Sequence, residues 1–190
     1  MKWTVPQGGK RRKLSAWIIS KSLSDSNIYF YITGGKEITQ LNPDVEKYLS
    51  KIVHQERYEK ELRVSENMLL VTDRGTIGKV ALVPKHWKDY AVSQNVLKII
   101  PSSSDIVGYL YVYLNSDIGT TLIKRETYGA VVDMIDDKSL GAVSVPLLRN
   151  GAVQSKINSM ALLANEKRFR AYLLEQEALS ILNDKILVVQ

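Results

Sequence analysis

The sequence predicts an α+β fold, a compact mixed globule followed by one long coiled-coil-like helix. Three observations carry that expectation. Short apolar runs and amphipathic stretches alternate through the first 150 residues, separated by glycine, proline and serine. Met68–Val71 and Val80–Val83 flank a glycine-bearing centre, which reads as a β-hairpin between Glu66 and Pro84. From Val153 onward, apolar or small residues recur in alternating steps of four and three, the spacing of a helix that packs on another helix.

Taken in order, Asn42-Pro43-Asp44 offers an N-cap, a proline at the first helical position and an acid in the first turn. The pattern predicts a helix from Asp44 through Ile52, running on toward Leu62. The hairpin follows, then a strand from Val92 to Ile100 that Pro101 closes. Ser104-Asp105 caps a helix in which Ile106, Leu110 and Leu114 share a face. A second short helix is expected from Gly119 to Arg125. Asp133, Asp136 and Asp137 lie close together, but the last two stand where a short helix should start, so capping is their expected role. A final strand is expected from Leu140 to Val145, before Pro146.

The long helix is expected from Gln154 to Leu182. Its seam is Val153, Ile157, Met160, Ala164, Ala171, Leu174, Ala178 and Ile181, broken only where Lys167 stands. One row, Ile157, Ala164, Ala171 and Ala178, is nearly all alanine and would let a second helix approach closely. A helix of this length cannot bury the whole seam against so small a domain, so the expectation is a partner helix. Residues 1–150 are therefore read as one domain and 151–190 as a spacer or dimerisation helix.

Composition narrows the chemistry. The 190 residues include no cysteine, which excludes disulfides and thiolate metal sites. His54 and His86 are the only histidines, and no metal-binding spacing surrounds them. The opening MKWTVPQGGKRRKL has no apolar centre and is not a signal peptide, and no run of 18 apolar residues occurs. A cytoplasmic location is expected. The net charge of +6 is uneven. Residues 1–63 carry twelve Lys and Arg against seven Asp and Glu, whereas residues 64–150 carry nine of each. Such a surplus favours polyanions through counterion release. The run Lys10, Arg11, Arg12, Lys13 is equally consistent with a solvated tail.

Gly75-Thr76-Ile77-Gly78-Lys79 resembles two phosphate-binding loops and matches neither. A P-loop needs four residues between its glycines and a Ser or Thr after the lysine; here there are two, and Val80 follows. The GxxG loop of a KH domain joins two helices, and this one joins two strands. A hairpin turn with positive φ is the plainer account, with Arg74 and Lys79 beside it free to reach phosphate. Nuclease chemistry lacks its Glu-x-Lys element, and methyl transfer lacks both an amine-binding motif and a glycine-rich cofactor loop. A Ser-His-Asp arrangement would need His54 or His86, which stand amid polar residues like ordinary surface side chains. The chain reads as a binder rather than a catalyst.

With these pieces in order, the sequence resembles one half of a Type I restriction–modification specificity subunit, over about Leu62 to Ile181. The segments are RGTIGKV (Arg74 to Val80), VSQNV (Val92 to Val96), YLYVYLNS (Tyr109 to Ser116), Tyr128-Gly129, SVPLL (Ser144 to Leu148) and QSKI (Gln154 to Ile157). The resemblance implies a non-catalytic target recognition domain that reads a few base pairs of duplex DNA, attached to a spacer helix. Family members usually carry two such domains and two helices, and this chain carries one of each. The resemblance therefore implies a homodimer or a second half-subunit paired through Ile157, Met160, Ala164, Ala171, Leu174, Ala178 and Ile181. It also implies docking on a methyltransferase subunit, which would supply S-adenosylmethionine, with a restriction subunit as a further candidate partner; the chain itself would need no cofactor.

The base-reading surface varies within the family, so candidate contacts come from residue chemistry alone. They are Arg74 and Lys79 at the hairpin, Gln94 for a bidentate adenine contact, and Lys124, Arg125 and Tyr128 before the Tyr-Gly turn. Arg11, Arg12 and Lys13 would hold phosphates. Ser93 and Asn95 are expected to satisfy local backbone groups instead. The competing expectation is a protein-interaction or regulatory module that dimerises, or docks on a methyltransferase, through the helix without reading DNA.

Overall fold

The computed structural model describes residues 27–129 and 133–187. Two three-stranded sheets are stacked beside a layer of helices. The first contains β1 (Ile28–Ile32), β2 (Lys47–Ser50) and β5 (Tyr90–Val92), in the order β2-β1-β5. Its central strand β1 is antiparallel to β2 and parallel to β5. The second sheet contains β3 (Leu69–Thr72), β4 (Val80–Leu82) and β6 (Val96–Ile99), in the order β4-β3-β6, with both pairings antiparallel.

The hairpin sheet is buried on both faces, which explains why β3 reads as an unbroken apolar run rather than an alternation. Leu69, Val71, Leu82 and Ile99 face Leu110 and Leu114 of α2 (Ser104–Asn115) and Ile123 of α3 (Asp117–Arg125). Leu70, Ala81 and Val83 face the other way, against Ile32, Ile38, Trp87 and Val92. A smaller cluster under the first sheet stacks Tyr29 on Tyr58, with ring centroids 3.6 Å apart.

The predicted α+β class, the hairpin and the helices of the central third are borne out. Three local expectations are not. No helix starts at Pro43: Lys47–Ser50 is strand β2, and α1 spans Lys51–Arg57. Tertiary pairing overrides the local start signal, because Leu49 is wholly buried beneath β1 with Tyr29 and Tyr31. The helix does run on to Leu62, through one π turn over Tyr58–Leu62. The Nζ of Lys98 donates to the Glu61 and Arg63 carbonyls at the end of that turn, and burial holds this ammonium below its usual pKa.

The strand expected over Val92–Ile100 is two strands, β5 and β6, in different sheets. Ser93 makes the switch: its Oγ donates to the Thr33 carbonyl at 2.8 Å and accepts from the Asn95 N–H at 3.1 Å. Local backbone satisfaction is thus the observed role of the Ser93 hydroxyl, and Asn95 takes part through its backbone.

The strand expected over Leu140–Val145 is replaced by α4 (Asp137–Ala142), capped by Asp136, whose carboxylate accepts from Ser139 N–H at 2.8 Å. That hydrogen bond holds the carboxyl below its usual pKa. The segment beyond is pinned to α2 by side chains instead of a ladder. Tyr109 donates its hydroxyl to the Pro146 carbonyl, and Tyr113, one turn on, donates to Ser144.

The last element, α5, spans Gly151–Leu187. Its 37 residues give a rod of about 55 Å at 1.5 Å per residue.

Candidate nucleic-acid interface and helix junction

The hairpin tip is built by Thr72 and two glycines. Thr72 Oγ1 donates to the Thr76 carbonyl at 2.5 Å and accepts from Lys79 N–H at 3.2 Å. Gly75 and Gly78 take φ of 72° and 78°, the left-handed region the GxxG spacing predicts. Gly78 also sits against Ile123, so that a Cβ there would stand 3.3 Å from the isoleucine Cγ2. The tip therefore rests on the last turn of α3, which carries Lys124 and Arg125.

The residue after β3 ties three loops together. The Asp73 N–H donates to the Asn95 carbonyl, and its own carbonyl accepts from Ile135 N–H at 2.9 Å. Arg74 bridges to Met134, and Met134 exchanges two backbone hydrogen bonds with Tyr128, at 2.8 and 2.7 Å. Arg74, Tyr128 and the turn bearing exposed Gln94 thus lie at one end of the stacked sheets, with Lys79 on the same hairpin. The end of β1 joins them through Ser93 and Thr33, and Gly35 approaches Thr72 so closely that a Cβ would be 2.6 Å from its Cγ2.

Electrostatically this end is mixed. The loops gathered here carry Lys36, Arg74, Lys79, Lys124 and Arg125 together with Glu37, Asp73, Glu126 and Asp133. Three of the acids are engaged: Glu37 accepts from the Thr33 hydroxyl, Asp73 pairs with Arg74, and Glu126 lies 3.6 Å from Arg125. The surface offers hydrogen-bond donors with only a small local charge surplus. Arg11, Arg12 and Lys13, in the basic first third, lie outside the described residues. Lys36 was not foreseen, because its loop has no motif; only the glycines before it hint at a close backbone approach.

The second feature is the junction of α5 with the globule, which sequence reasoning missed. The docked face is Asn158, Ala161, Asn165, Arg168, Phe169 and Tyr172, and both asparagines are buried. Asn158 Oδ1 accepts from Gly108 and Tyr109 N–H, at 2.7 and 3.2 Å, while its Nδ2 donates to the Ser104 carbonyl. Asn165 Nδ2 donates to the Val83 carbonyl at 3.0 Å. The His86 ring stacks on Tyr172 with centroids 4.1 Å apart and hydrogen-bonds the Leu41 carbonyl through Nε2 at 2.7 Å. Burial holds its pKa below the usual histidine value. His86 is thus a half-buried packing residue rather than the surface side chain expected.

The heptad seam lies beside this face. Ile157 is half-buried, whereas Met160, Leu174 and Ile181 are each more than half exposed, and Ala164, Ala171 and Ala178 are exposed too. Beyond Tyr172 only Gln176 is even partly covered, up to Ile186, and Leu173, Leu179 and Leu182 add to the uncovered apolar surface.

Among the described residues, no group of three or more His, Cys, Asp or Glu could hold a metal ion, and no helix is long and apolar enough to cross a membrane. A groove of about 330 Å³ between α2 and the 141–147 segment, lined by Ile106, Leu110, Val143 and Leu147 together with Ser102 and Ser144, has no ionisable side chain in its walls.

Comparison with known proteins places the sequence. Residues 13–160 match the family described as Type I restriction modification DNA specificity domain. No curated protein matches. Among solved structures, the chain is similar to the S subunit of the Type I restriction-modification system from M. genitalium, with 16% identity and a TM-score of 0.47. That match covers 73% of this chain and 33% of the other, so the chain spans about a third of the solved relative.

Proposed function

The chain belongs to the Type I restriction modification DNA specificity domain family, and we propose from that membership that it reads a short sequence in duplex DNA on behalf of a methyltransferase. In this reading residues 1–150 form the target recognition domain and 151–190 the spacer and dimerisation helix. The observation that carries it is the convergence of Arg74, Lys79, Gln94 and Tyr128 at one end of the sheets, beside Lys124 and Arg125. Backbone hydrogen bonds through Asp73 and Met134 bring their loops together. Lysines supply phosphate contacts, while Arg74, Gln94 and Tyr128 face base edges.

The helix supplies the second half. Its uncovered row of Met160, Ala164, Ala171, Leu174, Ala178 and Ile181 pairs with the same row of a second copy, giving two reading ends and a two-part site. The chain carries no catalytic role of its own. S-adenosylmethionine and the methyl transfer belong to the partner subunit, and a restriction subunit joins where cleavage occurs. The test is duplex binding by fluorescence anisotropy across a salt series. Affinity should fall steeply with salt, and single-stranded RNA should compete poorly.

The uncovered apolar row also favours a second reading, a module that docks on a methyltransferase through α5 without reading DNA. It predicts a stable protein complex and salt-insensitive, negligible duplex binding.

A further inference from the structure

We infer that Arg74 reads a guanine in the major groove and that Asp73 is its positioning residue; this rests on the reading that the loop end meets DNA. Asp73 is only 6% exposed, and its backbone is fixed on both sides by Asn95 and Ile135. Its carboxylate takes two donors of the neighbouring guanidinium: Nε lies 3.1 Å from Oδ1, and Nη2 lies 2.9 Å from Oδ2. That hydrogen bonding holds the arginine charged. Of the five N–H donors, the pair consumes the Nε–Nη2 edge. The Nη1–Nη2 end keeps its donors, and among the described residues no hydrogen bond uses them. It is this end whose two parallel donors match the O6 and N7 acceptors of guanine.

Two features favour a base over a phosphate as the target. The carboxylate neutralises the guanidinium and would repel a phosphate brought against it, so the pair adds little to counterion release. The pairing also removes much of the rotamer freedom an arginine must lose on binding, which suits a contact that depends on angle. Lys79 and Lys124, which have no carboxylate partner among the described residues, are the better phosphate groups.

The test uses the full chain and the site that it selects from a randomised duplex pool. Binding is measured to every single-base-pair variant of that site, for the wild type, Arg74→Lys and Asp73→Asn. Arg74→Lys keeps the charge and loses the fork. It should reduce discrimination at one G·C pair by roughly five- to a hundredfold, leaving other positions and the salt slope unchanged. Asp73→Asn should act in the same direction at the same pair. A uniform loss at all positions with the salt slope reduced by about one, or an unchanged profile, would overturn the assignment while leaving DNA reading intact. If the wild type selects no site, both readings fall.

Discussion

Asn158 of α5 and Gly108 of α2 meet where the two helices pack backbone to backbone. The asparagine Oδ1 accepts the glycine N–H at 2.7 Å, and a Cβ on Gly108 would stand 2.3 Å from the Asn158 carbonyl oxygen. The glycine allows the approach, and the amide fixes it along the helix axis, because it can satisfy Gly108, Tyr109 and Ser104 from one position only. Where the long helix leaves the globule is therefore set by a polar lock.

Gly108→Ala should lower unfolding free energy by at least about 2 kcal/mol, since the clash is with backbone. Gly141→Ala, within α4 and with nothing inside 4 Å of the new Cβ, should be neutral or stabilise by about 0.5–1 kcal/mol. Urea unfolding of the two variants checks both, and equal effects would remove the crossing as the cause.

Asn158→Ala removes an acceptor shared by two buried N–H groups and a donor to Ser104. A cost of about 1–3 kcal/mol is expected. Calorimetric melting of the full chain reads it out, and a change below about 0.5 kcal/mol would show that the lock contributes little.

The His86 contact gives a pH dependence. Its folded pKa is depressed by burial, and Nδ1 is buried with no partner among the described residues. The unfolded chain therefore binds the proton first as pH falls below about 6.5. His86 contributes its full stability above that value and loses it as pH falls toward the folded pKa. Arg168 nearby also opposes an imidazolium. His86→Gln should flatten the stability profile between pH 7 and 5 relative to wild type, and parallel profiles would contradict this.

On the pairing reading, Leu174→Glu with Ile181→Glu should abolish self-association in sedimentation experiments while leaving monomer stability within about 0.5 kcal/mol, because both side chains are exposed. A dimer that survives both charges must use another surface.

Lys79→Ala and Lys124→Ala should each weaken binding to all duplexes alike and reduce the salt slope by about one. Sequence-selective losses would instead make these lysines base readers.

The hairpin, α2, α3 and the long helix were legible because their signals are local: paired apolar runs, serine caps, and a sustained helical period. The Pro43 helix and the Leu140 strand misled for one reason. Each local signal competes with a partner distant in sequence, β1 for Leu49 and the α2 tyrosines for Ser144 and Pro146. β1 itself went unread, since IYFYI pairs with β2 on one side and β5, far along the chain, on the other. Each candidate contact is legible from its own side-chain chemistry, but their meeting is invisible without the Asp73 and Met134 bridges. The asparagine lock left no trace either, because Asn158 and Asn165 read as polar positions beside an apolar seam.

The most direct measurement of the central claim is selection from a randomised duplex pool, with the protein alone and with a methyltransferase subunit, followed by sequencing of the bound fraction. Enrichment of a two-part site with a fixed spacer is predicted. Recovery of unselected sequence under both conditions would contradict DNA reading and leave α5 as a docking element.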